Sequence, residues 1–532
     1  MKQYQKRNCF YYFAALGSIF LSTLFAVILQ FFKGRILDSA IAGDRFTAIR
    51  CALLLLLFIL CESFFYFVYA WFTARFVTGC TRMLKRDIFK SILRRSYISY
   101  QKHPQGWYLS KYTNEADAIQ AYRFQLVPRL WEILIKVIFV SVALFLLDAR
   151  IAILTLSLLT TPLYLPKLIE KPLQNAQSAQ VQTVESALSH MQDWLRGFEI
   201  IKNFSVEKTI LQKFDAANDH AMDAMFHNMA WQAVSQLLTS LMSYLSYFVI
   251  LACSTGLVLT GEFSAGDFFV AIGMMDQLSY PIIMLADILR AFVAIRPTCR
   301  SVEQFLTVDQ KTADIRTLHA VHNNIQYHAV SFTYLGSSRP VLQNVTFTVQ
   351  KGCHYLLKGP SGCGKTTAVN LLLRYYDADS GEILVDDIPL SRFDSTYDCM
   401  TVVRQDAVLF RDSLRNNLTL YQNIPDEKLF QVLHAVELDK FANRNALASL
   451  VAENGTNFSG GEKKRICLAR ALLQNTDVLI LDEPLANLDD ETASKIEDLL
   501  LSIEGKIVLV VSHQFTPEKI ALFDGVIQFG KA

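Results

Sequence analysis

Residues Asn8 to Phe32 form a run of 25 without a charged side chain. A helical span of a bilayer needs only about 20 apolar residues. In hydrocarbon the backbone amides find no water, so such a run must satisfy them internally, as a helix does. Five further stretches have the same character: roughly 48–74 (interrupted by Glu62), 130–147 (interrupted by Lys136), 151–168, 235–260 and 267–295. Six long membrane helices are therefore expected. "LDAR" joins the third to the fourth, and "TGEFSAGD" the fifth to the sixth. Basic residues set the orientation: eleven Lys/Arg fall in 75–129, one in 148–150 and none in 261–267. That asymmetry places the amino terminus and both long loops on the cytoplasmic side.

Composition agrees with this reading. A chain of 532 residues that is 52% hydrophobic, with mean hydropathy +0.25, is too apolar for an ordinary soluble enzyme. The basic start "MKQYQKRN" leads into the first run without a small-residue cleavage site, so no cleavable signal peptide is expected. A net charge of +2 offers no global basic surface for nucleic acid. The ten cysteines are scattered, with no C-x-x-C pair and no His/Cys ligand spacing. Neither a zinc site nor a disulfide framework is expected, and thiols on the cytosolic side stay reduced.

The two long cytoplasmic loops, about 75–129 and 169–234, carry few helix breakers and read as helical extensions of the spans. Each is interrupted once, in "SYQKHPQGWYLSKYTNEAD" (99–117) and "ALSHMQDWLRGFEIIKNFSVEK" (187–208). Trp107, Tyr108, Trp194 and Phe198 lie at these tips, where aromatic side chains suit contact with a cytosolic partner.

After residue 300 the pattern changes. Residues 1–305 form the membrane domain, 306–324 a polar linker, and 325–532 alternate short β-type runs with helix-type runs. "HYLLK" reads as a strand, "GPSGCGKTT" (359–367) as a glycine turn, and "KTTAVNLLLRYY" as the helix after it. Strand, glycine loop and helix in that order form the context of a phosphate-binding loop. Within the loop Gly359, Pro360, Ser361, Gly362, Cys363 and Gly364, the three glycines let bare backbone N–H groups curl round a phosphate, at a helix N-terminus that favours anions. Lys365 is placed to reach the β- and γ-phosphates of a nucleotide, the Thr366 hydroxyl to hold Mg²⁺, and Thr367 completes the loop. In "DVLILDEP", Val478 to Leu481 read as a buried strand, at whose end Asp482 can hold Mg²⁺ through water and Glu483 can polarise an attacking water. "NFSGGEKKRICLARALL" opens another helix at Ser459, Gly460 and Gly461, a second anion-binding terminus. One nucleotide does not need both, so a second copy of the domain is expected to share it.

With these elements in this order, the chain resembles the ATP-binding cassette transporters, specifically exporter-type half-transporters. The resemblance covers nearly the whole length. "GPSGCGKTT" is similar to the Walker A loop, "VLILDE" to the Walker B strand, and "FSGGE" (Phe458 to Glu462) to the signature LSGGQ. "ANLD" at 486–489 is similar to the D-loop ending in Asp489, and Tyr334 lies where the family stacks an aromatic on adenine. Gln405 in "VVRQDAVLF" matches the Q-loop glutamine that touches Mg²⁺, and His513 in "VLVVSHQ" matches the switch histidine. Glu453 sits where exporters sense the partner's membrane domain, and the two aromatic-tipped loops resemble coupling helices. Phe458, Glu462 and Asn487 replace the usual Leu, Gln and Ala, leaving Ser459–Gly460–Gly461 intact. The resemblance implies a six-helix membrane domain fused to an α/β P-loop cassette. It also implies ATP and Mg²⁺ as cofactors, catalysis by Glu483 with His513 and Gln405, and a homodimer or heterodimer with a second half-transporter. The expected setting is membrane lipid, in a bacterial plasma membrane with the cassette in the cytoplasm, and the cargo a small molecule, lipid or peptide. Export by alternating access is the leading expectation. Uptake of a metal chelate and an ATP-gated channel or sensor are the alternatives. The sequence ends at "VIQFGKA", without the helical tail common in such cassettes; separately, with no peptidase domain ahead of the spans, a self-contained leader-cleaving peptide exporter is not expected.

Glu62 and Lys136 are ionisable residues in the middle of spans, and Asp276 lies further along the last one. Counted from the outer ends, Glu62 and Lys136 lie at depths of about 22 and 18 Å. Opposite signs at matched depth suggest an ion pair that fixes helix packing or a polar patch in the substrate cavity, the remaining alternative being unrelated positions facing water. Asp276 is the better single candidate to meet a cationic or polar substrate.

Overall fold

The structure, a computed structural model, describes residues 1–160, 170–307 and 317–530, except 335, 338 and 394. The chain divides into two units, Met1–Arg94 with Pro104–Asp309, and Arg95–His103 with Gln310–Ala532.

In the first unit a short helix, α1 (Lys2–Arg7), precedes α2 (Cys9–Ile41) and α3 (Arg45–Leu93). The small α4 (Tyr97–Gln101) belongs to the second unit. The first unit resumes with α5 (Gln105–Leu147), α6 (Ala149–Leu159), α7 (Glu170–Arg196), α8 (Phe198–Asn203), α9 (Glu207–Leu259), α10 (Ala265–Ala294) and α11 (Arg296–Thr307). Among the described residues, five helical runs are long and apolar enough to cross a membrane: α2, α3, α5, α9 and α10 continuing into α11. The expected fourth span, 151–168, begins as α6, and its residues 161–168 lie outside the described residues, as do linker residues 308–316. At 49 and 53 residues, α3 and α9 far exceed the length a bilayer requires.

Side-chain caps set where the helices start. Asp44 accepts the Thr47 N–H before α3, and Asp148 accepts the Arg150 and Ile151 N–H groups before α6. Ser264 and Asp267 form a reciprocal capping box before α10. Apolar packing at one end gathers Tyr4, Phe76, Leu84, Ile88, Ile119, Phe124 and Phe305. A second core joins Val27, Val140, Leu144, Met274 and Leu278 from α2, α5 and α10.

The turn after α3 falls at 94–104, earlier than the sequence suggested. Trp107 and Tyr108 therefore already lie on the returning helix, packed edge-on or tilted against Phe305, and do not form a free tip. The aromatic at this turn that reaches the cassette is Tyr97, stacked on Tyr375 with centroids 3.8 Å apart. Nearby, the Tyr376 hydroxyl donates to Gln101 Oε1 at 2.7 Å. At the second tip Trp194 stacks on His190, and Phe198 is exposed.

The cassette contains β1 (Asn324–Phe332), β2 (Leu342–Gln350), β3 (His354–Lys358), α12 (Lys365–Leu372), β4 (Ser380–Val385), β5 (Ile388–Pro389) and β6 (Met400–Val403). Then follow α13 (Leu414–Thr419), α14 (Asp426–Ala435), α15 (Arg444–Ala448), α16 (Gly460–Leu473), β7 (Val478–Asp482), α17 (Asp490–Leu501), β8 (Ile507–Val511), α18 (Pro517–Ile520) and β9 (Gly525–Gln528). An antiparallel sheet runs β2-β1-β4-β5, and a parallel sheet runs β6-β7-β8-β3-β9. Strands β7 and β8 are buried throughout, as unbroken Val/Ile/Leu runs require when both faces are covered. In register, Asp482 pairs with Val511, and Val511 with Leu357. The carboxyl ends of β3, β7 and β8 thus share one edge, where ligands of parallel α/β sheets bind.

Candidate nucleotide site

The loop after β3 is shaped by glycines that nothing else could replace. At Gly359, with φ +152°, a Cβ would overlap the Phe529 carbonyl and lie 2.7 Å from Cys363 Sγ. Gly364, with φ +100°, caps α12, and a Cβ there would run into Leu342. A bare backbone is the only way to close this turn. Lys365 is buried and donates to the carbonyls of Gly359 at 2.7 Å and Pro360 at 2.9 Å, bracing the loop that a phosphate would enter. Cys363 Sγ lies 3.7 Å from the same ammonium.

One residue on, the Thr366 hydroxyl lies 3.4 Å from Asp482 Oδ2. Burial pushes the Asp482 carboxyl above its ordinary value, opposed by the charges of Arg404, Lys365 and Lys464 and by the Thr366 hydroxyl. Glu483 follows in a left-handed conformation, φ 50°, with its N–H on the Val511 carbonyl at 2.8 Å. A non-glycine residue held there is strained, and sheet pairing keeps it in place. This bend turns Glu483 out of the strand beside Asp482. Tyr334 is half-buried, its hydroxyl 3.0 Å from Thr367 Oγ1 and its ring edge-on to Phe332 and Tyr376. Gln405 and His513 are exposed on the loops after β6 and β8, with no side-chain hydrogen bond among the described residues.

The second glycine-rich turn is a separate construction. Ser459 Oγ accepts the Glu462 N–H at 3.2 Å, and Glu462 Oε2 accepts the Ser459 N–H at 2.8 Å. Glu462 also forms an ion pair with Lys440. Burial raises its pKa, but the Lys440 contact and the Ser459 N–H outweigh this, so it stays charged below the ordinary carboxylate range. The glutamate that departs from the usual glutamine is therefore a cap, and the Ser459 hydroxyl keeps its own proton to donate. Phe458 is buried against Phe441. Gly460 has open space around it, whereas a Cβ on Gly461 would lie 3.0 Å from the Asn487 carbonyl. The signature thus packs on the D-loop, where Asp489 caps α17 through the Thr492 N–H.

Two residues escaped sequence reading. Arg404 donates to Asn370 Oδ1 at 2.6 Å and faces the Tyr375 ring. Lys464 is buried with no hydrogen-bond partner for Nζ among the described residues, and burial lowers its pKa against the pull of Glu483, Asp482 and Asp406. In "EKKR" it looks like one more solvated charge. Nothing in the local sequence marked it, because its burial depends on what packs against α16.

In the membrane unit Lys136 is paired, but with Glu132 on its own helix at 2.9 Å, and not with Glu62. Glu132 also accepts the Tyr69 hydroxyl at 2.9 Å. Depth does not fix which way a helix face turns, and Lys136 lies against Tyr66 with Glu132 one turn away on its own helix. Asp276 is exposed on α10 and lines a small cavity with Lys33.

A phosphate loop, an acidic strand end and a capped glycine turn on one cassette, joined to a bundle of apolar helices, define a membrane-embedded P-loop ATPase. The family model described as "ABC transporter transmembrane region" matches residues 12–282, and that described as "ABC transporter" matches 342–486. The chain belongs to the ABC transporters, as a half-transporter with one membrane domain fused to one cassette. It is 27% identical over 527 residues to an ATP-dependent lipid A-core flippase of Haemophilus ducreyi, covering 94% of this chain and 88% of that protein. To the flippase of Photobacterium profundum it is 25% identical over 442 residues, covering 81% and 75%. A solved bacterial Atm1-family ABC exporter with ATP bound superposes with a TM-score of 0.79 at 20% identity, covering 99% of this chain and 93% of that one. The protein is a multi-pass membrane ATPase that couples ATP hydrolysis to transport, with its cassette in the cytoplasm.

Proposed function

We propose that this chain forms one half of a dimeric exporter with six membrane helices per chain, moving a lipid or lipid-like amphiphile outward. The observation that carries the reading is the open signature turn. Ser459 and Gly460 are exposed, Gly460 has free space about it, and the Ser459 hydroxyl retains a proton to donate. A second cassette can present its P-loop-bound ATP to that turn, so each nucleotide is held by two chains. Relatives named as lipid A-core flippases support a lipid-class cargo.

Within each site the backbone of 359–364 and Lys365 hold the phosphates. Thr366 and Asp482 offer hard oxygens at a spacing that suits Mg²⁺, and Gln405 adds a further oxygen from its loop. When bound, the ion neutralises charge developing on the phosphate oxygens. Glu483 accepts a proton from the attacking water as the bond between the γ-phosphorus and the bridging oxygen breaks, and His513 steadies the γ-phosphate. Closure of the two cassettes switches the membrane domain between its two states, with α4 and α8 as the coupling elements.

The test is ATP-driven movement of a fluorescent lipid in proteoliposomes, with Glu483→Gln as the control. The variant should bind ATP but hydrolyse it at least about 100-fold more slowly. ATP hydrolysis without lipid movement would overturn the export reading, and near-normal hydrolysis by Glu483→Gln would overturn the assignment of the base.

A further inference from the structure

A cavity of about 380 Å³ opens between α2 and α10, and four of its walls are polar: Gln30, Lys33, Asp276 and Gln277, with Phe269 and Ile272 beside them. The two helices are clamped there. Gly34 lies so close to α10 that a Cβ would meet Val270 at 2.7 Å and the Gly266 carbonyl at 2.8 Å. A Cβ on Gly273 would overlap Gln30 Oε1. Above the seam, Asp38 accepts the Ser264 hydroxyl at 2.8 Å and the Gly266 N–H at 2.7 Å. Below it, Gln277 donates to the Ala26 carbonyl at 3.2 Å. The cavity is therefore held on a rigid pair, as a site that must discriminate requires.

The register fixes the heights. Gln30 faces Gly273 and Ala26 faces Gln277, so Lys33 stands about 9 Å outward of Asp276 along the shared axis. Lys33 closes the uncharged run of α2 at its outer end, whereas Asp276 lies well inside the apolar part of α10. Neither has an ion partner among the described residues. An exposed carboxylate at that depth is costly against lipid tails, so this face turns toward an aqueous or substrate-filled space.

We infer that the α2–α10 cavity binds a zwitterionic headgroup, with an anionic group at Lys33 and an ammonium at Asp276, and Gln30 and Gln277 as hydrogen-bonding walls. The inference rests on the reading of the chain as an exporter of amphiphiles, and names the class of amphiphile. The separation of the charges explains why they do not neutralise each other: a ligand bearing both signs bridges them, and a singly charged one leaves one of the two unmet. A zwitterionic phospholipid fits this chemistry at this depth.

The experiment reads binding apart from transport. The detergent-solubilised full chain is titrated with short-chain phosphatidylethanolamine or phosphatidylglycerol, and its melting temperature is followed, since a ligand of the folded state raises it. The wild type should be stabilised by phosphatidylethanolamine at concentrations at least roughly 10-fold lower than by phosphatidylglycerol. Asp276→Asn should abolish that preference, and Lys33→Gln should weaken both lipids. Equal stabilisation of the wild type by both lipids, or an undiminished preference in Asp276→Asn, overturns the site. Lys33→Gln tests the other end independently should Asp276→Asn not fold. ATP-driven lipid movement in proteoliposomes remains the separate measure of the exporter reading, so either can fail alone.

Discussion

The cassette and the membrane domain place their polar groups by different rules. In the cassette, much of the site is assembled from neighbours in sequence. Lys365 bonds carbonyls five and six residues back, Ser459 and Glu462 cap each other three residues apart, and Asp489 caps Thr492. In the membrane domain the ties cross the chain. Asp38 reaches Ser264, Ala26 meets Gln277, and Tyr69 meets Glu132. A strand–loop–helix turn fixes its own geometry, because glycine φ angles and caps act locally. A long apolar helix fixes only its length; which face it presents, and to which helix, is decided by packing.

The sharpest way to break this contrast is at the glycine seam. A Cβ on Gly266 of α10 would overlap Asp38 and the Gly34 backbone of α2, whereas Gly17, also on α2, has nothing within 4 Å. Gly266→Leu should cost ~3 kcal/mol or more, as overpacking against backbone does, and Gly17→Leu almost nothing. Melting of the detergent-solubilised protein measures both. If Gly266→Leu melts like the wild type, the two helices are not joined through this seam, and the long-range account of the membrane domain loses its main support.

That contrast explains what the sequence made legible. The phosphate loop, the Asp482–Glu483 strand end and the signature turn were readable because their chemistry is local and their residues specific. Lys464 was not, since its burial comes from α16 packing against a sheet whose order the sequence does not spell out. Trp107 and Tyr108 were read as a tip because aromatics in a polar loop suggest contact; the turn at 94–104 put them one step later, onto a packed helix. Glu62 and Lys136 were paired by counted depth, but Lys136 meets Tyr66 and Glu132 instead. The apolar runs announced a multi-span bundle from composition alone, yet the glycines of α2 and α10 mean nothing until the two helices are known to be neighbours.

A smaller effect sharpens the same point inside one helix pair. Glu132 holds both Lys136 and the Tyr69 hydroxyl and is largely buried. Glu132→Gln should lower stability by about 1–3 kcal/mol, because Lys136 loses its counter-charge. Glu62→Gln should stay within about 0.5 kcal/mol. The exchange of Glu62 and Lys136 should not rescue either single variant. Rescue by that exchange, read from folded yield and ATPase activity, would restore the pairing by depth that the helix faces contradict.

The smallest effect tests the cassette side, where one carboxylate does act over distance. Asp386 accepts the N–H groups of His322 and Asn323 at 2.7 Å and of Asn324 at 3.1 Å, tying the strand entry to the turn after β4. Burial raises its pKa, but these three donors outweigh it and hold the carboxyl below its ordinary range. A depressed carboxylate adds stability above its unfolded pKa of about 3.9, and that stability is lost as pH falls through the folded value. Asp386 sits at φ 49°, a conformation asparagine tolerates, so Asp386→Asn removes the charge without straining the turn. The variant should lose about 1 kcal/mol at neutral pH, and the gap to the wild type should close as pH drops below about 4. Melting curves of the full chain across that range measure it. A gap that is constant with pH would mean that the carbonyl-type acceptor, and not the charge, holds the strand entry, making even this long tie a matter of local hydrogen-bond shape.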